Sequence, residues 1–190
     1  GMSVAVLSGW LLPCDGGAVE YVESDFVRLY ENGGVFLFDE VDAADPNTLL
    51  FINQALANGS FFVPQRKGRS KVTRHADFVC VAAANTFGNG ANGTYAGRER
   101  LDEAFLDRFR AGRHFVDYDK AFERSAVSPD LLAWGWAVRK RMEELRMQRV
   151  MSTRFLLDST KALAAGKSVD AIKATFFLDW KADDRKKVDA

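Results

Sequence analysis

Two adjacent carboxylates, Asp39 and Glu40, come directly after the apolar run Val35–Phe38. A short apolar run followed at once by acidic residues is typical of a strand buried on both faces of a parallel sheet. Open α/β sheets bind their ligands at the carboxyl ends of the strands, where this acidic pair would lie. In a site that hydrolyses a nucleotide, Asp39 would hold Mg²⁺, usually through water, and Glu40 would polarise the attacking water. The simpler alternative is an acidic loop that follows a strand.

Three other polar side chains could act on the same phosphate groups. Asn85 ends the second apolar run, 78–84, and could orient the attacking water, although asparagine is also a common turn residue. Arg108 lies near the end of a predicted helix, 101–109, and could reach a phosphate bound to a neighbouring subunit. Its alternative role is a surface ion pair with Asp107 or Glu103, which would contribute little to stability. Arg154 could close onto phosphate from the start of a later helix, or could be an ordinary exposed arginine.

Capping and turn residues predict the elements that would position these side chains. Asp45 and Pro46 supply an N-cap and a first-turn proline for a helix that Gly59 would end. The segment 60–74 predicts a β-hairpin with a basic tip, and the segment 114–116 predicts a short strand.

The last part of the chain has a different pattern. Ser128, Ser152 and Ser168 each precede an apolar stripe with helical spacing, so each predicts the start of a helix. Strands that alternate with helices, followed by helices alone, predict an α/β domain at 1–126 and a small helical lid at 127–190.

Taken in order, these motifs resemble the AAA+ superfamily, specifically the phage and bacterial members of its dynein-related, MoxR-like branch. The similar segments are 31–42 for Walker B, 82–86 for sensor 1, 101–109 for the arginine-finger helix and 152–154 for sensor 2. The resemblance implies an α/β fold with the parallel sheet of P-loop NTPases, followed by a small helical lid. It also places a hairpin after the Walker B helix, where the segment 60–74 lies.

The resemblance implies a function and a role for each candidate residue. Full-length relatives use ATP and Mg²⁺ and commonly assemble into hexameric rings that remodel a protein substrate, which this sequence does not identify. Asp39 would hold Mg²⁺ and Arg154 would contact the nucleotide. Glu40, Asn85 and Arg108 would be catalytic, with Arg108 acting as the arginine finger.

The phosphate-binding string G-x-x-x-x-G-K-[ST] does not occur in the 190 residues. In the family it would precede Met2, which predicts a cloned fragment or a truncated gene without the Walker A strand and helix. The resulting P-loop NTPase sheet would be incomplete, and its open edge would be closed by rearrangement or by a second copy, as in a dimer or a swapped assembly. This chain alone is expected to bind no ATP.

A non-catalytic protein is the main alternative to an ATPase. In that case the chain is a truncated relic or an interaction module that docks on intact ATPase subunits and donates Arg108 to them. The formal net charge of zero gives no general electrostatic reason to expect nucleic acid or membrane as a partner. DNA binding by the basic hairpin remains a lesser hypothesis. Cys14 and Cys80 predict reduced thiols in a cytoplasmic protein.

Overall fold

The computed structural model describes residues 4–92 and 94–189. Its contacts define two compact units, the first ending at Arg113 and the second beginning at His114. This division falls earlier in the chain than the predicted boundary between 126 and 127. The assignment of the second unit as a lid stays a prediction.

The first unit combines helices with three pairs of strands. Its helices are α1 (Val4–Ser8), α2 (Asp25–Asn32), α3 (Pro46–Asn58) and α4 (Glu103–Phe109), and its strands are β1 (Trp10–Pro13), β2 (Val19–Val22), β3 (Gly34–Phe38), β4 (Ser60–Phe62), β5 (Lys71–Thr73) and β6 (Phe78–Ala82). The pairs β1–β2 and β4–β5 are antiparallel, and β3–β6 is parallel. The mixed α/β fold and the hairpin at 60–74 are therefore confirmed.

The parallel pair β3–β6 sets the geometry of the candidate site. Its register runs from Gly34 opposite Phe78 to Phe38 opposite Ala82. Two backbone hydrogen bonds extend the pairing, from Ala83 N to Phe38 O at 2.8 Å and from Val41 N to Ala83 O at 2.9 Å. The residues that follow both strands are therefore held at the same edge of the sheet.

The prediction that these strands are buried on both faces is wrong. Side chains on one face, such as those of Phe38 and Phe78, lie in the core. Those on the other face are exposed: Val35 by 63%, Leu37 by 53%, Val79 by 50% and Val81 by 42%. The reason is that the helices α2 and α3 contribute to a core on one side of the pair only.

Aromatic rings fill the core of the first unit. Phe26, on α2, is fully buried and contacts the rings of Phe36, Phe38, Phe61 and Phe78 at centroid distances between 5.1 and 5.9 Å. Such ring pairs stabilise a core beyond the contribution of their buried area. This packing fixes β3 against α2 and so holds the end of β3 in place.

The helix after the acidic pair has the predicted ends. Asp45 caps α3 by accepting a hydrogen bond from Asn47 N at 3.0 Å, and Pro46 is the first helical residue. Gly59 ends the helix with φ of 63°, a left-handed conformation that favours glycine. These local signals determine the helix almost entirely, which is why the sequence predicts it well.

The hairpin formed by β4 and β5 is less basic at its tip than its sequence suggests. Arg66 is only 10% exposed, because it forms ion pairs with Glu23 at 3.1 Å and Glu31 at 2.9 Å. Arg69 is 74% exposed but lies 3.6 Å from the same Glu31. Two of the tip arginines thus face carboxylates of the first unit.

The strand predicted at 114–116 is wrong. Residues 113–119 have no regular secondary structure, and the side chains of Phe115 and Val116 are 72% and 89% exposed. A strand forms only when a neighbouring strand takes up its backbone hydrogen bonds. In the described ranges the strand ladders are the three pairs of the first unit. The apolar composition of this segment was therefore insufficient to make a strand.

The second unit is helical. Its helices are α5 (Lys120–Ala126), α6 (Pro129–Glu144), α7 (Thr153–Ala164), α8 (Val169–Phe176) and α9 (Ala182–Val188). Ser152 and Ser168 cap α7 and α8 as predicted, with 3.1 and 3.2 Å hydrogen bonds from Phe155 N and Ala171 N. Gly135 allows α6 and α7 to approach closely, since a Cβ atom there would lie 2.6 Å from a methyl group of Leu156.

Both cysteines are free thiols, as the sequence predicted. Cys80 lies on β6, where burial raises the pKa of its thiol to about 12. The thiolate is the nucleophilic form of cysteine, so burial disfavours the reactive form of Cys80.

Candidate functional site

The acidic pair lies where β3 ends and the chain turns. Glu40 has φ of 51° and ψ of 43°, a left-handed conformation that is uncommon for residues other than glycine. Its backbone N–H donates to Oδ1 of Asp39 at 2.9 Å, which stabilises the turn. Both side chains point into solvent at this edge, and that of Glu40 is 58% exposed. Unusual backbone conformations of this kind are concentrated at functional sites.

Asn85, which follows β6, reaches the same place. Its Nδ2 atom donates to Oε1 of Glu40 at 3.4 Å. The two residues are 45 positions apart in the sequence, and the parallel register of β3 and β6 brings them together. The structure thus gathers Asp39, Glu40 and Asn85 at the carboxyl ends of neighbouring strands.

A buried carboxylate, that of Asp42, lies next to these exposed side chains and forms hydrogen bonds to Thr86. It is fully buried and accepts hydrogen bonds from the backbone N–H and the hydroxyl of Thr86, at 3.0 and 2.8 Å. Asp42 lies just after the acidic pair and Thr86 just after Asn85. These bonds therefore tie the two turns of the candidate site to each other.

Arg98 joins the buried carboxylate to the exposed one. Its guanidinium lies 3.1 Å from Oε1 of Glu40 and 3.4 Å from Oδ1 of Asp42, and its side chain is 12% exposed. The hydrogen bond to Glu40 raises the pKa of Arg98 above its ordinary value, so the guanidinium stays charged. The sequence analysis missed both Asp42 and Arg98 as site residues. Only the acidic character of Asp42 after a buried strand could have indicated the first, and no local signal indicated the second.

Arg108 lies on α4, and its side chain is exposed. Its Nε atom donates to Oδ1 of Asn53 on α3. The ion pairs with the nearby carboxylates Glu103 and Asp107 are made instead by Arg110, at 2.9 and 3.3 Å. The simpler explanation of Arg108 as a partner of those carboxylates is therefore wrong.

Arg154 belongs to the second unit. It lies on the first turn of α7, directly after Thr153, and its side chain is exposed. The predicted contact of Arg154 with nucleotide stays a prediction.

The oxygen atoms at this edge of the sheet include one exposed carboxylate that suits Mg²⁺. Magnesium usually keeps several waters and binds one or two carboxylates together with substrate phosphates. Asp39 offers one exposed carboxylate of this kind. Among residues 4–92 and 94–189, no group of three or more His, Cys, Asp or Glu side chains could form a cage for a metal. One carboxylate is what a Mg²⁺ ion bound to phosphates would take from the protein.

The fold and the site together define a class of protein. Helices packed on a parallel strand pair, with polar side chains at the carboxyl ends of the strands, are typical of α/β nucleotide-binding proteins. A family model for the AAA domain of the dynein-related subfamily matches residues 4–109, more than half of the chain. The chain belongs to this family of AAA+ ATPases. The match contains Asp39, Glu40, Asn85 and Arg108, and it ends before Arg154.

Membership of the family has general consequences. AAA+ proteins use ATP and Mg²⁺, and they generally assemble into oligomeric rings. In the parts of the chain that the structure describes, no helix combines the length and the apolar character needed to cross a bilayer.

Proposed function

We propose that this chain supplies the hydrolytic residues of an AAA+ ATPase site. Asp39 holds Mg²⁺ through water, Glu40 accepts a proton from the attacking water, and Asn85 orients that water toward the γ-phosphate. The observation that carries the proposal is the 3.4 Å contact between Asn85 Nδ2 and Glu40 Oε1 at the ends of two parallel strands. A carboxylate and an amide this close to each other can both form a hydrogen bond to one water molecule beside them.

The proposed chemistry is positioning and charge stabilisation. Phosphoryl transfer proceeds through a loose transition state, so the enzyme mainly aligns the nucleophile and neutralises developing charge. Magnesium, when bound, neutralises phosphate oxygens. Glu40, 58% exposed at the rim of the site, can receive the proton and release it to solvent.

Two arginines have separate roles in the proposal. Arg108 acts as an arginine finger on the γ-phosphate bound to the adjacent subunit of a homo-oligomeric ring, and its exposure on α4 supports this role. Arg154, at the start of α7, acts as sensor 2. The ring remodels a protein substrate, in the manner of the MoxR-like branch with its phage and bacterial members.

A non-catalytic docking module is the second candidate, and a specific observation favours it. The face of β3 and β6 that carries Val35, Leu37, Val79 and Val81 is apolar and exposed, as expected for a surface that another polypeptide covers. In this role the chain binds intact ATPase subunits and donates Arg108. The ATPase hypothesis requires Glu40 for ATP hydrolysis, whereas the docking-module hypothesis does not.

Mixing two inactive variants tests the proposal. Glu40→Gln and Arg108→Ala are each expected to lower ATP turnover of the full gene product, the second by about 10³-fold or more. Because each subunit supplies its finger to a neighbour, a mixed ring contains some sites with both an intact Glu40 and an intact Arg108. An equimolar mixture is therefore expected to recover part of the lost turnover, measured by phosphate release.

The matched control is Arg110→Ala, which removes an exposed arginine from the same region and breaks only surface ion pairs. It is expected to leave turnover close to that of the unchanged protein. Turnover that survives Glu40→Gln but falls with Arg108→Ala would favour the docking module. A mixture with no more turnover than its parts would contradict a finger acting between subunits.

A further inference from the structure

The buried carboxylate of Asp42 requires a positive partner. Removing a carboxylate from water is costly unless hydrogen bonds or an opposite charge compensate. Thr86 provides two neutral hydrogen bonds, at 3.0 and 2.8 Å, and Arg98 provides the charge at 3.4 Å. Arg98 is therefore held in place by a group that cannot itself move into solvent.

The backbone around Arg98 is also fixed. The N–H of Glu99 donates to the carbonyl oxygen of Asp42 at 2.7 Å, and the N–H of Leu101 donates to Gly88 O at 3.0 Å. A bridge between Asn89 and Arg100 closes the same loop. The guanidinium of Arg98 thus extends from an anchored backbone, and its side chain is 12% exposed.

Glu40, in contrast, has few restraints of its own. Its side chain is 58% exposed, and a glutamate in solvent samples many rotamers. The contacts that restrain its carboxylate are the 3.1 Å bond from Arg98 and the longer 3.4 Å bond from Asn85. The shorter of the two comes from a charged donor, and such hydrogen bonds are the stronger ones.

We propose that Arg98 is a positioning residue for ATP hydrolysis, which bridges the buried Asp42 and the exposed Glu40 and so holds the Glu40 carboxylate against Asn85. This inference rests on the proposed function, because it concerns the same water-activating carboxylate. Arg98 acts through Glu40 and does not itself touch the nucleotide. The planar guanidinium is required, since one nitrogen serves each carboxylate, whereas the ammonium of lysine is a single point charge.

The kinetic test uses Arg98→Met and Arg98→Lys in the full gene product. A misplacement of about 1 Å can cost on the order of 10²-fold in rate, so each variant is expected to lower kcat by about 10- to 100-fold. The KM for ATP is expected to stay within about twofold, because the ground-state grip on the phosphates is made elsewhere. Arg100→Met is the control, since it removes an exposed arginine from the same loop.

A second comparison separates positioning from a general structural role. In the Glu40→Gln background, Arg98→Met is expected to cause no further loss of kcat, because the group on which it acts is already inactive. A similar loss in both backgrounds would overturn the proposal. So would an unchanged kcat for Arg98→Met.

Thermal unfolding of the same variants does not depend on ATP turnover. Arg98→Met leaves the charge of Asp42 buried, and it is expected to lower the Tm, whereas adding Asp42→Asn restores part of the loss. If the protein hydrolysed no ATP, or hydrolysed it equally well after Glu40→Gln, the proposed function would be wrong. The Tm values of Arg98→Met and of the double variant with Asp42→Asn would still report whether Arg98 bridges to Asp42. Intact Glu40-dependent turnover with no effect of Arg98→Met would defeat the present inference alone.

Discussion

Glu40→Gln is expected to lower the kcat of ATP hydrolysis by the full gene product by about 10²–10⁴-fold, the range that a general base contributes. The amide has nearly the shape of the carboxylate but cannot accept a proton from water. Its oxygen can still accept the hydrogen bonds that Glu40 receives from Arg98 and Asn85. Nucleotide affinity and stability should therefore change little. Phosphate release and ATP binding, measured on the same preparation, separate the two effects.

Glu99→Gln is the matched control for this change. Glu99 is an exposed glutamate of the loop that carries Arg98, and its contact with Asp42 is made by its backbone N–H, which the substitution keeps. Turnover of this variant is expected to match that of the unchanged protein. If Glu40→Gln turned over ATP as fast as Glu99→Gln, Glu40 would not be the general base.

The second large effect is expected at a buried ion pair of the second unit. Glu123, on α5, is fully buried and accepts a bidentate pair of 2.7 Å hydrogen bonds from Arg139. The hydroxyl of Thr153 and the indole N–H of Trp136 donate to the same carboxylate, at 2.6 and 2.7 Å. Arg139 also lies over the ring of Tyr118, 3.6 Å from its centroid. Four donors thus converge on one carboxylate.

Glu123→Gln is expected to destabilise the second unit by about 3–5 kcal/mol, as when one partner of a buried ion pair is removed. In either orientation the amide nitrogen faces an N–H of Arg139 that needs an acceptor, and the guanidinium of Arg139 is left without its counter-charge. Urea denaturation followed by tryptophan fluorescence measures the loss, because three of the four tryptophans, Trp134, Trp136 and Trp180, lie in the second unit.

The same ion pair predicts how stability depends on pH. The hydrogen bonds from Arg139, and to a lesser degree those from Thr153 and Trp136, lower the pKa of Glu123 from 4.5 to about 2. The folded state therefore binds this proton less readily than the unfolded state. About 3 kcal/mol of stability is present above pH 4.5 and is lost as the pH falls toward 2. Glu123→Gln is expected to lack this component of the acid transition.

Glu144→Gln is the control, because Glu144 forms an exposed ion pair with Arg141 at 3.1 Å. Its free energy of unfolding is expected to change by less than about 1 kcal/mol. A Glu123→Gln protein as stable as Glu144→Gln, with the acid transition of the unchanged protein, would show that the buried pair contributes no net stability.

The sequence predicted the features that local signals determine. Asp45, Pro46 and Gly59 specify both ends of α3 because capping and the left-handed turn depend on neighbouring residues only. The apolar runs of β3 and β6 predicted a parallel pair, and this prediction placed Asp39, Glu40 and Asn85 at one edge of the sheet.

Features that depend on distant contacts were not predictable in this way. Arg98 meets Glu40 across 58 positions and Asp42 across 56, and no periodicity or motif encodes such a pairing. The exposed face of β3 and β6 was missed for a similar reason. An apolar run indicates a strand, but only the packing of the whole unit decides whether one or both faces are covered.

Titration of ATP into the full gene product, with Mg²⁺ and with a chelator in its place, tests the central claim most directly. The account predicts tighter binding with Mg²⁺, a loss of this gain in Asp39→Asn, and a retained gain in Asp25→Asn, which alters an exposed carboxylate 76% open to solvent. The 190-residue chain alone is expected to give no binding heat. Three results would each contradict the proposed site. These are no ATP binding by the full gene product, a Mg²⁺-dependent gain that survives Asp39→Asn, and ATP binding with micromolar affinity by the 190-residue chain alone.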